Sequence, residues 1–359
     1  FTDVLVEQVQ DAMKEKLGYT NTQAHNMLYS GGLSIYTTQD PTIQSIVDEE
    51  INNPDNYSAA RYSIEYRLSV TGADGSTTHY SEENLKRYHR DNGDSSYDGL
   101  YDSEEEIQAD IENYKNSLLK EGDTIIGESL HKTLQPQASF VIMDQKTGQV
   151  KAIAGGRGEK TASLTLNRAS NTLRQPGSTF KVLTVASALK NNKITENTQI
   201  YCPASITIGN HVFNNWSKTP LGDINCIRAL AMSNNPFMYQ MGLKLAAEAL
   251  MDTARAFGLG ERTGLPIPDD PGLVPTSDYM IRNYKRDFMS GDAANLSIGQ
   301  GTLLVTPLQV AHMMSGVANG YLPRLQLIKQ IQDGNANVIY APKPQEVQRP
   351  LPAYERALS

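Results

Sequence analysis

Ser178 and Lys181, in the run Arg174-Gln175-Pro176-Gly177-Ser178-Thr179-Phe180-Lys181, place a hydroxyl and an amine one helical turn apart. Pro176-Gly177 breaks the preceding segment, and Val182, Leu183, Val185, Ala186 and Leu189 then recur at helical spacing, which predicts that the pair opens a buried helix. Residues i and i+3 share a face, so the Lys181 amine is expected to reach the Ser178 oxygen, and the positive end of the helix favours negative charge there. An ordinary serine is a poor nucleophile without such a base. The same spacing recurs at Ser117 with Lys120 and at Ser129 with Lys132. Neither has the Pro-Gly break and apolar helix behind it, so both are read as ordinary surface residues.

A second polar group lies downstream in Ser233-Asn234-Asn235, the only Ser-x-Asn of the chain. Arg228 to Met232 reads as a short helix delivering the serine to a loop, and Phe237, Tyr239, Met241, Leu243 and Leu245 resume apolar packing. Alone, such a triplet is usually a turn or a helix cap. Its place after Ser178 and Lys181 gives it weight.

The two motifs together resemble those of the penicillin-binding proteins and serine β-lactamases. Asn167-Arg168-Ala169, Asn215-Trp216, Gly222 with Ile224, Gly299-Gln300-Gly301 and Val305-Thr306-Pro307-Leu308-Gln309 are similar to the transpeptidase domain of high-molecular-weight members, from about residue 138 to 323. Gly32 to Pro41 with Gln44 resembles the segment that precedes the transpeptidase in bifunctional (class A) members, the type expected here. The resemblance implies an α+β fold, a helical cluster beside an antiparallel sheet. It also implies a division into a linker or pedestal module over 1–135 and a transpeptidase domain over 136–359.

The family's third motif, Lys-Thr/Ser-Gly, has no counterpart after Ser233. Lys146-Thr147-Gly148 precedes the nucleophile and joins the apolar runs Phe140 to Met143 and Val150 to Ala154, which reads as a hairpin turn. The sheet is therefore expected to be unfinished, with its third-motif strand beyond Ser359.

The resemblance assigns catalytic roles to Ser178, Lys181, Ser233 and Asn235, and substrate contacts to Trp216, Gln300 and Gly301. Ser178 would attack the penultimate D-alanine carbonyl of a peptidoglycan stem peptide, and β-lactams would acylate the same oxygen. Lys181 is the base only if burial or nearby positive charge lowers its pKa. A β-lactamase, a D,D-carboxypeptidase and a non-catalytic β-lactam sensor or scaffold remain the alternatives. No cofactor is implied, and partners within the cell-wall synthesis machinery are expected.

The elements that must hold these residues fit a two-part chain. At 359 residues, 39% hydrophobic and 20% charged, it has length for two domains. A net charge of −8 with no basic cluster argues against nucleic acid. The six histidines and two cysteines show no metal-ligand spacing. No apolar run is long enough to span a bilayer, so membrane attachment would come only from an anchor outside this chain, placing it on the extracytoplasmic face. There Cys202 and Cys226 could pair or stay free.

In the front part, residues 1 to about 30 and Pro41 to Ile51 read as helical. Arg61 to Val70 and Thr77 to Tyr80 read as a hairpin, and Ser103 with Glu106 as a capping box for a helix striped by Ile107, Ile111, Tyr114 and Leu118. Behind Ala138 come a hairpin, the nucleophile helix, a β-rich excursion, the Ser-x-Asn loop and a mainly helical stretch.

Overall fold

The first 30 residues form two helices, α1 (Thr2–Leu17) and α2 (Asn21–Ser30), in the computed structural model, which describes residues 2–158, 166–265 and 269–350. Thr20 separates them by a reciprocal cap: its hydroxyl accepts from the Gln23 N–H, and the Gln23 side-chain oxygen accepts from the Thr20 N–H. β1 (Ser34–Thr37) and α3 (Pro41–Asn52) follow.

Then comes the expected hairpin, β2 (Arg61–Thr71) and β3 (Thr77–Ser81), with Leu68 opposite Tyr80. α4 (Glu82–Asp91), β4 (Leu100–Tyr101), α5 (Glu104–Leu118) and β5 (Thr124–Gln135) complete this part, with β5 antiparallel to β2 along its length. Tyr66, Leu68 and Val70, alternate positions of β2, bury against Leu85 of α4 and Ile107, Ile111 and Tyr114 of α5. Strand period two thus meets helix period 3.6 in one core. Ser103 caps α5 by accepting from the Glu106 N–H at 3.1 Å, but the Glu106 carboxylate accepts from the Asp102 N–H at 2.7 Å. The capping box is therefore only half closed.

Further along lie β6 (Phe140–Met143), β7 (Val150–Ala154), α6 (Arg168–Asn171) and α7 (Lys181–Lys190). The β-rich excursion is β8 (Ile200–Cys202), β9 (Ser205–Ile208), β10 (His211–Asn214) and β11 (Gly222–Ile224), paired as β9–β10 and β8–β11. After α8 (Cys226–Ala231) and the long α9 (Asn235–Ala256) come α10 (Ser277–Tyr284), α11 (Ser290–Ser297) and α12 (Pro307–Asn319). The order closes with β12 (Leu322–Pro323), β13 (Ile328–Gln332), β14 (Val338–Tyr340) and β15 (Glu346–Gln348). Helices α7, α9 and α11 form the main core, through Phe180, Leu183, Phe237, Met241, Ala294 and Leu296. Cys202 and Cys226 lie in this core unpaired, and burial pushes the Cys202 thiol up to about 11.

The chain divides into one unit of Phe1–Val47, Ser139–Gly155 and Ser163–Ser359, and another of Asp48–Ala138 and Gly156–Ala162. The contiguous module expected over 1–135 is therefore not the unit that forms. β1 explains the difference, since it pairs with β13, Ile35 opposite Ile331, while Val9, Met13 and Ala24 bury with Ile328 and Ile331. Thr38 adds a stitch by donating its hydroxyl to the carbonyls of Val150 (2.7 Å) and Gln326 (3.0 Å). Gln44 acts like a strand neighbour of β7, accepting from the Ile153 N–H and donating to its carbonyl. These contacts tie a sequence-distant segment to the part that bears Ser178. The four strands after α12 pair as β13 with β1 and β14, and β12 with β15, whereas β6 and β7 pair with each other.

Lys146-Thr147-Gly148 forms the β6–β7 turn, as expected. The Asp144 carboxylate accepts from the N–H groups of Lys146 and Thr147 at 2.9 and 3.0 Å, and Gly148 adopts φ +74° with its Cα against the Arg324 carbonyl, where a Cβ would come within 2.1 Å. The glycine is demanded by the turn and the close approach. Lys146→Ala should leave stability within about 0.5 kcal/mol and penicillin acylation within about twofold, whereas Gly148→Ala should lose about 2 kcal/mol or more. Thermal denaturation and acylation of both variants check this, and a hundredfold loss of acylation in Lys146→Ala would give the triplet a chemical role.

Candidate active site

Ser178 stands in a 3₁₀ turn, Gly177–Phe180, that runs directly into α7, so Lys181 is the first residue of that helix. The buried Phe180 ring anchors the turn in the core, leaving Ser178 exposed and Lys181 only 2% exposed. The turn is held from behind. Arg174 and Val305 exchange both backbone hydrogen bonds at 3.0 and 2.9 Å, Gln175 Nε2 donates to the Gly301 carbonyl at 2.8 Å, and the Gly177 N–H donates to the Gly299 carbonyl at 2.9 Å. Gly299 has φ +71°, and a Cβ there would lie 2.2 Å from the Gly177 carbonyl oxygen. Gly299-Gln300-Gly301 thus braces the turn that carries Ser178. Gln300 and Gly301 are themselves exposed.

Ser233 sits between α8 and α9 in left-handed backbone, φ +47°, with its N–H donating to the Leu230 carbonyl and the Asn234 N–H donating to that of Ala229. Asn234 caps α9 by accepting from the Phe237 N–H at 2.8 Å, which makes Asn235 the first helical residue. The strained serine is so fixed from both helices. Lys181 Nζ donates to Asn235 Oδ1 at 2.6 Å, to the Ser233 carbonyl at 2.8 Å and to Ser233 Oγ at 3.0 Å, and Ser233 Oγ donates to Ser178 Oγ at 3.2 Å.

All four residues with predicted catalytic roles meet, but not as pictured from spacing alone. Among the described residues no hydrogen bond joins Lys181 Nζ to Ser178 Oγ; the link passes through Ser233. The three protons of the Lys181 ammonium are taken up by three oxygens of the Ser-x-Asn loop. Burial lowers the Lys181 pKa to about 8, and no carboxylate pairs with it among the described residues. The amine is therefore far easier to deprotonate than an exposed lysine.

Trp216 is 66% exposed, and its Nε1–H donates to the Met232 carbonyl at 3.2 Å, next to Ser233. It lies on the rim of the site. Asn215 is buried beside it, with Oδ1 accepting from the Asn235 N–H at 3.1 Å. In the sequence Asn215 stands out only through the family resemblance, because a lone loop asparagine carries no periodic signal.

The other Ser-x-x-Lys copies separate on geometry. Ser129 and Lys132 lie on β5, where i and i+3 face opposite sides, and Lys132 instead pairs with Glu104. Ser117 donates to the Tyr114 carbonyl at the end of α5. A further copy, Ser187 with Lys190, has its serine buried, donating to the Ala249 carbonyl and accepting from the Thr253 hydroxyl. Among the described residues no His, Cys, Asp or Glu cluster could hold a metal ion.

Two outcomes follow from this geometry. If neutral Lys181 is the base, acylation by a penicillin should rise about tenfold per pH unit below its pKa and level off above about pH 9; a flat profile from pH 6 to 9 would remove Lys181 from that role. Gly299→Ala should destabilise the fold by about 2 kcal/mol or more and slow acylation, since the turn under Ser178 must move. Denaturation curves and acylation rates that match the parent protein would show that the brace is dispensable.

A family model for the penicillin binding protein transpeptidase domain matches residues 138–356. Peptidoglycan D,D-transpeptidase MrdA of Haemophilus influenzae is 32% identical over 170 residues, 46% of this chain and 26% of that protein. Peptidoglycan D,D-transpeptidase PbpA of Mycobacterium tuberculosis is 33% identical over 211 residues, 54% of this chain and 39% of that protein. The chain spans 23% to 46% of the length of such curated relatives. Among solved structures, penicillin-binding protein 3 of Mycobacterium tuberculosis aligns with 88% of this chain and 55% of its own, with a TM-score of 0.56 at 19% identity, a likeness of fold. Penicillin-binding protein A of the same organism, solved as a penicillin G acyl-enzyme, has a TM-score of 0.51 at 25% identity, covering 59% of this chain and 53% of its own. The bifunctional (class A) type expected from Gly32 to Gln44 is not supported, since the relatives are of the MrdA or PBP2 (class B) type. That segment is accounted for by the stitch that Thr38 and Gln44 make to β7. With both motifs hydrogen-bonded to each other inside the matched residues, on an α+β scaffold shared with solved penicillin-binding proteins, the chain belongs to the penicillin-binding protein transpeptidase domain family.

Proposed function

We propose that this chain is the penicillin-binding, cross-linking part of a class B peptidoglycan D,D-transpeptidase. The observation that carries the reading is the hydrogen-bonded chain from buried Lys181 through Ser233 to exposed Ser178. Ser178 Oγ attacks the carbonyl of the penultimate D-alanine of a stem peptide while its proton passes to Ser233, whose own hydroxyl turns to donate its proton to the neutral Lys181 amine. As the peptide C–N bond breaks, Ser233 hands a proton to the leaving nitrogen, and the terminal D-alanine departs. The amine of a second stem then attacks the acyl ester, and the Ser178 hydroxyl is restored. The Ser178 N–H serves as one oxyanion donor. Asn235 orients Lys181 and faces the substrate amide, with Trp216 at the rim and Gln300 and Gly301 beside the nucleophile turn as substrate contacts.

β-Lactams acylate Ser178 as mimics of the same dipeptide. No described helix is long and apolar enough to cross a membrane. We place the site at the extracytoplasmic face, where stem peptides lie, with any anchor outside this chain and partners in cell-wall synthesis. The unit of Asp48–Ala138 and Gly156–Ala162 serves as a pedestal.

The test is to label the full-length protein with a fluorescent penicillin, map the adduct by mass spectrometry, and follow D-alanine release from a pentapeptide stem. A long-lived adduct on Ser178, abolished in Ser178→Ala, is the expected result. Label that survives the substitution, or penicillin hydrolysed within seconds, would sink the proposal.

A further inference from the structure

The amide of Asn235 has one allowed orientation. As the ammonium, Lys181 Nζ carries only donors, so Asn235 turns Oδ1 toward it, and Nδ2 then needs an acceptor on the other side. That acceptor is the Asn214 carbonyl at 3.5 Å, which also accepts from the Tyr239 hydroxyl at 3.3 Å. The backbone N–H of Asn235 is one of the four donors that an α-helix leaves without an internal partner, and the Asn234 cap is already engaged with Phe237. Asn215 Oδ1 meets that donor at 3.1 Å.

Asn215 is built into its place. It is 3% exposed, follows directly on β10, donates its own N–H to the Ala204 carbonyl at 2.8 Å, and donates Nδ2 to Ser217 Oγ at 2.8 Å. Its neighbour Trp216 donates to Met232 at the other end of the same loop. Residues 214–216 therefore grip the Ser-x-Asn loop on both sides of Ser233. The loop needs such a grip, because Ser233 is held at φ +47°, where a non-glycine residue is strained and relaxes unless its surroundings forbid it.

We propose that Asn215 is a positioning residue for the acylation step: its Oδ1 fixes the start of α9, which sets the Asn235 amide and, through it, the Lys181 amine against Ser233 and Ser178. The inference rests on the acylation chemistry proposed above and assigns a role to a residue outside both motifs.

The experiment compares penicillin acylation of the full-length protein, Asn215→Ala and Asn215→Asp across pH 6 to 10, with thermal midpoints from the same preparations. Asn215→Ala should lose about tenfold or more in the first-order acylation step with little change in prior penicillin binding, as expected of a misplaced base. Asn215→Asp keeps the acceptor, so it should recover to within about threefold at high pH. Its rising limb should move up by about half a pH unit or more, because the new carboxylate favours the Lys181 ammonium.

Folded Asn215→Ala acylating within twofold of the parent would overturn the proposal. So would an Asn215→Asp profile with an unshifted limb, and that result decides the matter if the alanine variant does not fold. Absence of label on Ser178 in the unsubstituted protein would instead defeat the proposed function, so the two failures are distinguishable.

Discussion

Everything in this site depends on one buried amine. Taking a lysine out of water costs several kcal/mol unless its protons find partners, and Lys181 finds three oxygens between 2.6 and 3.0 Å, all from the Ser-x-Asn loop. Those acceptors stabilise the ammonium, while burial opposes it and prevails, leaving the pKa near 8. The compromise is chemically useful, since a fully exposed lysine would be almost wholly protonated at neutral pH and a fully unpaired one could not be held in place. Ser178 itself is exposed, so its hydroxyl is reachable while the Lys181 amine is not.

The scaffold can be read as the means of holding that amine. Phe180 and Leu183 root α7 in the helical core, Phe237 and Met241 root α9 in the same core, and the two helix starts converge on Lys181 and Asn235. Neither helix start is self-sufficient. The Gly299 carbonyl and the Gln175–Gly301 contact steady the turn before α7, and the 214–216 segment steadies the loop before α9. Strain at Ser233 is tolerated because backbone hydrogen bonds to Leu230 and Ala229 close the preceding helix beneath it.

The amino-terminal segment shows a different economy. Thr38 and Gln44 use side chains to satisfy β7 backbone groups that a neighbouring strand would otherwise take, and β1 completes a sheet with β13 nearly three hundred residues away in sequence. Loop-closure entropy grows only slowly with separation, so a contact of this range costs little more than a shorter one once its strand pairing and apolar burial are made.

Candidate chemistry and local elements were both carried by short-range signals in the sequence. Ser178 with Lys181 could be picked out because the Pro-Gly break and the apolar period of α7 are local signals, and the β2–β3 hairpin, the β6–β7 turn and the stripe of α5 were legible for the same reason. Which oxygens the amine meets is set by folding, since Ser233 and Asn235 lie more than fifty residues from Lys181 and reach it through helix packing that no spacing encodes. It also places residues 1–47 in the unit that bears Ser178 and sets Asn215 Oδ1 against the first N–H of α9. Periodicity reports a residue's own element, whereas pairing between distant segments is set by complementary surfaces that exist only after each has folded.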